Sequence, residues 1–353
     1  MICRKCGSPG KILIRKEYCY CNDCFNINTN HKFRACIGKN RILSANDKVL
    51  VCVSGDVNSI VLLDLVHIGI SLNNHKKLRI IPFFLHIVDD DTTVNIKKIN
   101  DHCNNYGFSV KVININEYLK TNNLYNNQSN CSSNVNYPST IKYDIQKNIK
   151  RSIFFQIAKE LQCKIIFTAE TNTSLAKKLL SNIAIGRGSQ VEHDTGFADT
   201  RDKDVKILRP MKDISNEEVE HYTRINNLNP PYTKQEKDNS LQSIIQNFVL
   251  DLQGNYPATI STICKTADKM SSCDIANAKK CAICKSTIDN NPPNISAVDA
   301  TMFSKKVSFK KYGEESNMDN ASDNKEINAI FPFIYDSLCY CCSRNYAELQ
   351  NCK

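Results

Sequence analysis

No stretch of eighteen consecutive apolar residues occurs in the 353-residue chain, which excludes a membrane-spanning helix. The opening Met1-Ile2-Cys3-Arg4-Lys5-Cys6 has no apolar h-region, so no secretory signal is expected. Tryptophan is missing, and nothing repeats along the chain except paired cysteines. What is present is ordinary for a folded protein: 41% hydrophobic and 23% charged residues exclude a wholly disordered chain. The length suits one large domain or two ordinary ones. Lys and Arg outnumber Asp and Glu by 46 to 36, a formal charge of +10. That excess suits a polyanion such as RNA, and equally a Lys-rich solvated surface.

Cysteine is the unusual component, with 18 residues. Without an export signal disulfides are not expected, and clustered intracellular cysteines more often bind metal. Cys3-x-x-Cys6 and Cys21-x-x-Cys24 are two knuckles fourteen residues apart, the pattern of a tetrahedral Zn²⁺ site. Gly7 and Asn22-Asp23 supply turn-compatible backbone, and Arg4 and Lys5 favour thiolates. Cys19 is a competing ligand. A second set, Cys281-x-x-Cys284 and Cys339-x-x-Cys342 with Cys341 as a spare, spans a gap of 54 residues. Loop-closure cost grows slowly with length, so one site remains feasible; two independent pairs, or thiols that merely pack, are the other reading. Closed four-cysteine sites are structural, because no position is left open for chemistry.

Between the clusters, strand and helix signals alternate. Asp47 to Val53, Arg79 to Val88, Ser109 to Ile115, Lys164 to Thr168 and Lys206 to Pro210 read as strands. Ile60 to Val66, Ile96 to Tyr106, Tyr143 to Gln162, Leu175 to Ile185, Ser215 to Ile225 and Leu241 to Met270 read as helices, the last kinked near Tyr256-Pro257. The alternation predicts an α/β fold with a doubly wound parallel sheet. Ser215 with Glu218 three residues on reads as a capping box. The Asn-rich composition of the connecting segments is taken to carry no function. The expected organisation is a four-cysteine metal module with a basic helix (1–40), an α/β domain (41–225, with an insertion at about 121–140), a helical region (226–275) and a C-terminal Cys-rich module (276–353, with a polar insertion at about 289–325). The chain is expected to return to order from Ile327, with Phe331-Pro332-Phe333.

Val49-Leu50-Val51-Cys52-Val53-Ser54-Gly55-Asp56-Val57-Asn58-Ser59 runs from a strand through a Ser/Gly turn into a helix, which can present N–H groups to a phosphate. It looks like the Ser-Gly-Gly-x-x-Ser loop of PP-loop ATP pyrophosphatases, the adenine nucleotide alpha hydrolase-like group. The chain as a whole resembles the cytoplasmic tRNA 2-thiolation protein 2 family. The matching stretches are Cys3-Arg4-Lys5-Cys6, Tyr20-Cys21-Asn22-Asp23-Cys24-Phe25, His31-Lys32-Phe33-Arg34, Gly38-Lys39-Asn40-Arg41, Leu208-Arg209-Pro210-Met211-Lys212-Asp213, Phe248 to Lys269, Cys281-Ala282-Ile283-Cys284 and Leu338-Cys339-Tyr340-Cys341-Cys342. The resemblance implies a degenerate PP-loop domain flanked by zinc-ribbon-like modules. It also implies a cytoplasmic heterodimer with a related PP-loop thiolase that installs 2-thiouridine at the wobble position of tRNAs for Lys, Glu and Gln. Sulfur would come from a thiocarboxylated ubiquitin-related modifier through the partner.

The departures bear on mechanism. Ser54, Gly55 and Ser59 fit the loop, but Asp56 stands where a second Gly would let backbone approach pyrophosphate, and Asn58 where related enzymes often carry Asp. A carboxylate facing phosphate is unfavourable, which counts against ATP in this subunit. Thr168-Ala169-Glu170-Thr171-Asn172-Thr173 replaces a Gly-His-Asn-x-x-Asp-like turn. Asp89 to Asp91 follows a strand C-terminus, where a ligand could sit, with a solvated acidic turn as the other reading. Cys52, Cys131 and Cys163 lie outside CxxC pairs, and Cys52 and Cys163 read as inert thiols in or beside buried strands. No catalytic residue is therefore assigned. Lys32, Arg34, Lys39 and Arg41, next to Phe33, are candidates for RNA contact, with a plain amphipathic helix (Phe33 and Ile37 inward) as the compatible alternative. Gly186-Arg187-Gly188 is a weaker candidate. Two other readings stay open: an active ATP-dependent thiolase with an altered loop, and a zinc-ribbon tRNA adaptor with no nucleotide role.

Overall fold

The computed structural model describes residues 1–72, 77–89, 93–121, 138–232, 239–270, 279–288, 301 and 338–351. Cys131, Asp90-Asp91, Phe331-Pro332-Phe333 and nearly all of both insertions lie outside the described residues. The chain forms two compact units, 1–272 and 273–351. No helix among the described residues is long and apolar enough to cross a membrane.

The first unit opens with a hairpin, β1 (Ile12–Ile14) and β2 (Tyr18–Tyr20), followed by helix α1 (Asn22–Asn40). The remaining elements alternate: β3 (Asp47–Cys52), α2 (Val57–Ser71), β4 (Ile80–Val88), α3 (Thr93–Asn105), β5 (Val110–Asn114), α4 (Ile115–Thr121), α5 (Ser139–Glu160), β6 (Ile165–Phe167), α6 (Asn172–Ala184), α7 (Val191–Thr195), β7 (Ala198–Asp199), β8 (Lys206–Leu208) and α8 (Asn216–Ile225). Two more helices follow, α9 (Leu241–Asn255) and α10 (Thr259–Ala267), separated at Tyr256-Pro257.

The sheet order is β5-β4-β3-β6-β8-β7, parallel throughout except for the short edge strand β7. Both faces are covered, and the period of two along β3 shows how. Val49, Val51 and Val53 join one core with α1, α2, α3 and α8, while Leu50 and Cys52 join a second core with α4 and α5. Helix α2 is apolar nearly all round because it is buried nearly all round: Ile60, Val61, Leu62, Leu63, Leu65 and Val66 have no exposed surface. Pro82 is tolerated within β4 because β5 begins to pair only at Phe84, leaving β4 an edge there on that side.

Helix α1 joins this core through Phe25, Phe33, Cys36 and Ile37. The second unit is described by itself. Its described core is Cys281, Cys284, Leu338 and Cys342, with Ile288, Cys339 and Tyr346 packed on it, and it ends in helix α11 (Tyr340–Asn351).

Candidate functional site

The loop expected to bind phosphate is closed on itself. Asp56 is the N-cap of α2: its Oδ1 accepts from the Ser59 N–H at 2.8 Å and from the Ser54 hydroxyl at 3.0 Å. The Gly55 N–H donates to Ser59 Oγ at 2.9 Å, and the Ser59 hydroxyl donates to the Asp56 carbonyl at 3.0 Å. The Gly55 and Ser59 N–H groups and the Ser54 and Ser59 hydroxyls are thus taken within the loop, and a fixed carboxylate already complements the helix dipole. The sequence argument placed the Asp56 carboxylate facing a ligand; it turns back onto the backbone instead. Tyr232 lies across the loop, its N–H donating to the Gly55 carbonyl at 3.2 Å. Gly55 has φ +86°, and a Cβ there would meet the Tyr232 ring at 2.7 Å and Ile99 at 2.8 Å, so glycine is required both for backbone conformation and for Tyr232 to pack.

Beside the loop is a cavity of about 500 Å³, bordered by Asp56, Val57 and Asn58, by the first residues of α6 and α8, and by α9. Three helix N-termini converge here, and each is capped by protein: α2 by Asp56, α6 by Thr171 and α8 by Ser215. The Thr171 hydroxyl donates to Asn216 Oδ1 at 2.5 Å, tying two of these ends together. The Ser215–Glu218 capping box forms as the sequence indicated. Among the described residues, the charged groups lining the cavity are the carboxylates of Asp56, Glu217 and Glu220 and the guanidinium of Arg15. A triphosphate would meet net negative charge in a partly enclosed space, which disfavours it.

The segment from Thr168 to Thr173 has acquired a structural task. Glu170 pairs with Lys178 at 2.7 Å and with Arg209 at 2.6 Å. Burial raises the Glu170 carboxyl, but these two cations outweigh it and hold the group at about 2. Arg209, from the Leu-Arg-Pro block, is almost wholly buried and also donates to the Gly196 carbonyl at 2.7 Å; Lys212 of the same block pairs with Asp268. Among the described residues no activated thiol lies nearby. Burial pushes Cys36 up to about 12 and Cys103, Cys163 and Cys264 up to about 11, and raises Cys52 as well.

Sequence reasoning missed a buried ionic network on α5, α6, α7 and β7. Arg201 pairs with Asp194 at 2.5 Å and with Asp199 at 2.7 Å; Arg151 also pairs with Asp199, and Asn182 donates to Asp194 at 2.7 Å. Arg187, offered as a weak RNA candidate, is 3% exposed and bidentate on Asp144. Its members are scattered over nearly sixty residues with no periodic spacing, so no linear signal marks them. Of the candidates on α1, Lys32 pairs with Glu218 at 2.5 Å and Arg34 donates to the Asn30 carbonyl at 3.2 Å, while Lys39 and Arg41 are exposed. Asp89 pairs with Lys150 at 3.1 Å.

Both cysteine quartets assemble. In each of the two sets, Cys3/Cys6/Cys21/Cys24 and Cys281/Cys284/Cys339/Cys342, the sulfurs lie within 4.8 Å of one another. Cys6 and Cys21 Sγ are 3.6 Å apart, and Cys284 and Cys339 Sγ 3.5 Å. Four thiolates at about 2.3 Å from one tetrahedral ion lie about 3.8 Å apart, so the donor set and its spacing fit a single metal ion. Crowding splits the thiols' proton affinities. Backbone donation from Cys21 pulls Cys3 down to about 6, and the Cys6 side chain pushes Cys24 up to about 12. Cys19 is buried in β2 and is not a member of the set.

Fold and loop together define a PP-loop α/β protein. A family model of the PP-loop domain matches residues 26–249, and one described as cytoplasmic tRNA 2-thiolation protein 2 matches residues 240–344. The chain is 30% identical over 373 residues to the protein of that name from Drosophila mojavensis, spanning 99% of this chain and 91% of the relative. The Danio rerio protein of the same name is 28% identical over 388 residues, spanning 89% and 77%. Among solved structures, the U34-tRNA thiolase NcsA from Methanococcus maripaludis with its [4Fe-4S] cluster superposes with a TM-score of 0.62 at 21% identity, covering 78% of this chain and 91% of that one. The chain belongs to the cytoplasmic tRNA 2-thiolation protein 2 family.

Proposed function

We propose that this chain is the non-catalytic subunit of a cytoplasmic complex that installs 2-thiouridine at the wobble position of tRNAs for Lys, Glu and Gln. Its partner is a related PP-loop thiolase, which adenylates the uridine and receives sulfur from a thiocarboxylated ubiquitin-related modifier. The observation that carries the reading is the self-closed loop, in which the Asp56 carboxylate occupies the α2 N-terminus, bonded to the Ser59 N–H and the Ser54 hydroxyl, the Gly55 N–H is bonded to Ser59 Oγ, and Tyr232 covers Gly55. The acidic lining of the adjoining cavity and the raised core thiols support it. Each cysteine quartet holds one zinc ion in a structural role. The sulfur spacing favours a single ion over a multi-iron cluster, whose cysteines bind different irons and sit further apart.

The test is co-purification with the related thiolase, followed by ATP-dependent tRNA thiolation with each subunit's loop altered in turn. Asp56→Ala in this chain removes an N-cap and costs about 1 kcal/mol of stability, while thiolation per complex stays unchanged. The matching loop change in the partner abolishes thiolation. Saturable ATP binding or thiolation by this chain alone would overturn the reading.

A further inference from the structure

The edge of the sheet opposite the cavity carries a row of cations. Four neighbouring parallel strands, β4, β3, β6 and β8, each begin at a basic residue: Arg79 precedes β4, Lys48 is the second residue of β3, Lys164 precedes β6, and Lys206 opens β8. The register brings them close to one level. Val49 is level with Ile165, which puts Lys48 beside Lys164 on one face, and Ile165 is level with Lys206, which stands one residue further along and on the other face of the sheet. On the other side the Asn46 N–H donates to the Arg79 carbonyl at 2.9 Å, which fixes Arg79 beside the start of β3. Three interstrand steps of about 4.8 Å make the row roughly 14 Å long.

Arg79, Lys164 and Lys206 are exposed, and their side chains make no ion pair or hydrogen bond among the described residues. Lys48 meets only the neutral Gln162 amide, at 3.1 Å. Carboxylates near the row are fewer than its cations: Asp47 accepts from the Ser44 N–H and keeps its charge, and Asp202 and Asp204 share Lys159. Lys77, two residues before Arg79, and Lys39 and Arg41, at the end of α1, are also exposed. Like charges one strand apart repel, and no carboxylate among the described residues pairs with the side chains of Lys48, Arg79, Lys164 or Lys206.

We propose that this N-terminal edge of the sheet is a docking surface for the phosphodiester backbone of RNA. A polyanion with a charge at every nucleotide matches a row of cations without ion-pair partners held on rigid strand ends, and no base reading is needed. That the RNA is tRNA rests on the function proposed above; the cationic row does not. Because the row lies at the strands' opposite ends from the loop, its use requires no nucleotide site.

The test measures tRNA binding by the full chain and by its thiolase complex across a potassium chloride series. Arg79→Gln, Lys164→Gln and Lys206→Gln together are expected to weaken binding at least tenfold at about 0.1 M salt and to flatten the log–log salt slope by roughly 2 to 3. Lys97→Gln with Lys98→Gln on α3, exposed residues away from this edge, are expected to leave the slope unchanged. All five positions are exposed, so melting curves should not move. Unchanged affinity and slope in the edge variant, or equal loss in the α3 variant, would overturn the proposal. Loss of complex yield at unchanged tRNA binding would overturn it in favour of an acidic protein surface. Edge-dependent tRNA binding by a chain whose removal leaves thiolation intact would keep the surface and discard the proposed function.

Discussion

The two cysteine quartets share a local design and differ in what stands behind it. In each, the first cysteine's N–H donates to the carbonyl of the serine five residues on (Cys3 to Ser8 at 2.8 Å, Cys281 to Ser286 at 2.7 Å). Its carbonyl accepts from the residue after the second cysteine (Gly7 and Lys285, both at 3.0 Å). The second pair then sits at a helix start, Cys21 and Cys24 at α1 and Cys339 and Cys342 at α11. Behind the first set, α1 reaches a large core through Phe25, Phe33 and Ile37. Behind the second, the ligands themselves supply most of the buried residues. Among the described residues, therefore, the first knuckle is attached to a large core and the second largely makes its own, so the second is expected to depend more on its ion.

The sharpest way to break that contrast is Cys281→Ser. Structural zinc contributes on the order of 10 kcal/mol to folding such modules, so residues 279–288 and 338–351 are expected to lose their fold and become protease-sensitive. A resistant fragment of about 1–272 should survive, with bound metal falling from two ions per chain to one. Retained protection of α11 would refute the difference. Cys24→Ser is expected to act more mildly, releasing one ion and loosening the β1–β2 hairpin while α1 keeps its slow amide exchange. Phe33→Ala, which leaves every ligand in place, should cost about 3–5 kcal/mol and expose α1 to exchange. If loss of Cys24 melts α1 as completely as loss of Phe33, the first module depends on its ion as well.

The frame of this molecule was legible because its signals are local. Apolar runs marked β3, β4 and β6, and the two-residue spacing within each cysteine pair marked both quartets. Joining the second quartet across its 54-residue gap needed only that long loops close cheaply. The loop at Ser54–Ser59 was legible as an altered phosphate loop, but the turn of Asp56 back onto Ser59 depends on a side-chain torsion. The covering by Tyr232 depends on a contact 177 positions away, which no spacing rule encodes. For the same reason Lys32 read as a free cation: its partner Glu218 comes from another helix. The basic edge escaped notice because Lys48, Arg79, Lys164 and Lys206 become neighbours only once the strand order is known.

The smallest expected effect sharpens the comparison most finely. The residue after each first knuckle has a left-handed backbone, Gly7 at φ 75° and Lys285 at φ 58°. Glycine adopts this conformation freely, whereas another residue costs roughly 1–2 kcal/mol. No atom lies within 4 Å of a Cβ built on Gly7, so Gly7→Ala tests conformation without a clash. It should weaken the first site's metal affinity by about fivefold to thirtyfold, the factor that this energy implies. Lys285→Gly should do the reverse, tightening the second site by a smaller factor, because glycine also gains freedom in the unfolded chain. Competition with a chromophoric chelator reads both constants. If Lys285→Gly instead weakens the second site, the lysine side chain is supporting that knuckle by a contact that outweighs its backbone strain, and the two knuckles are alike only in their hydrogen bonds.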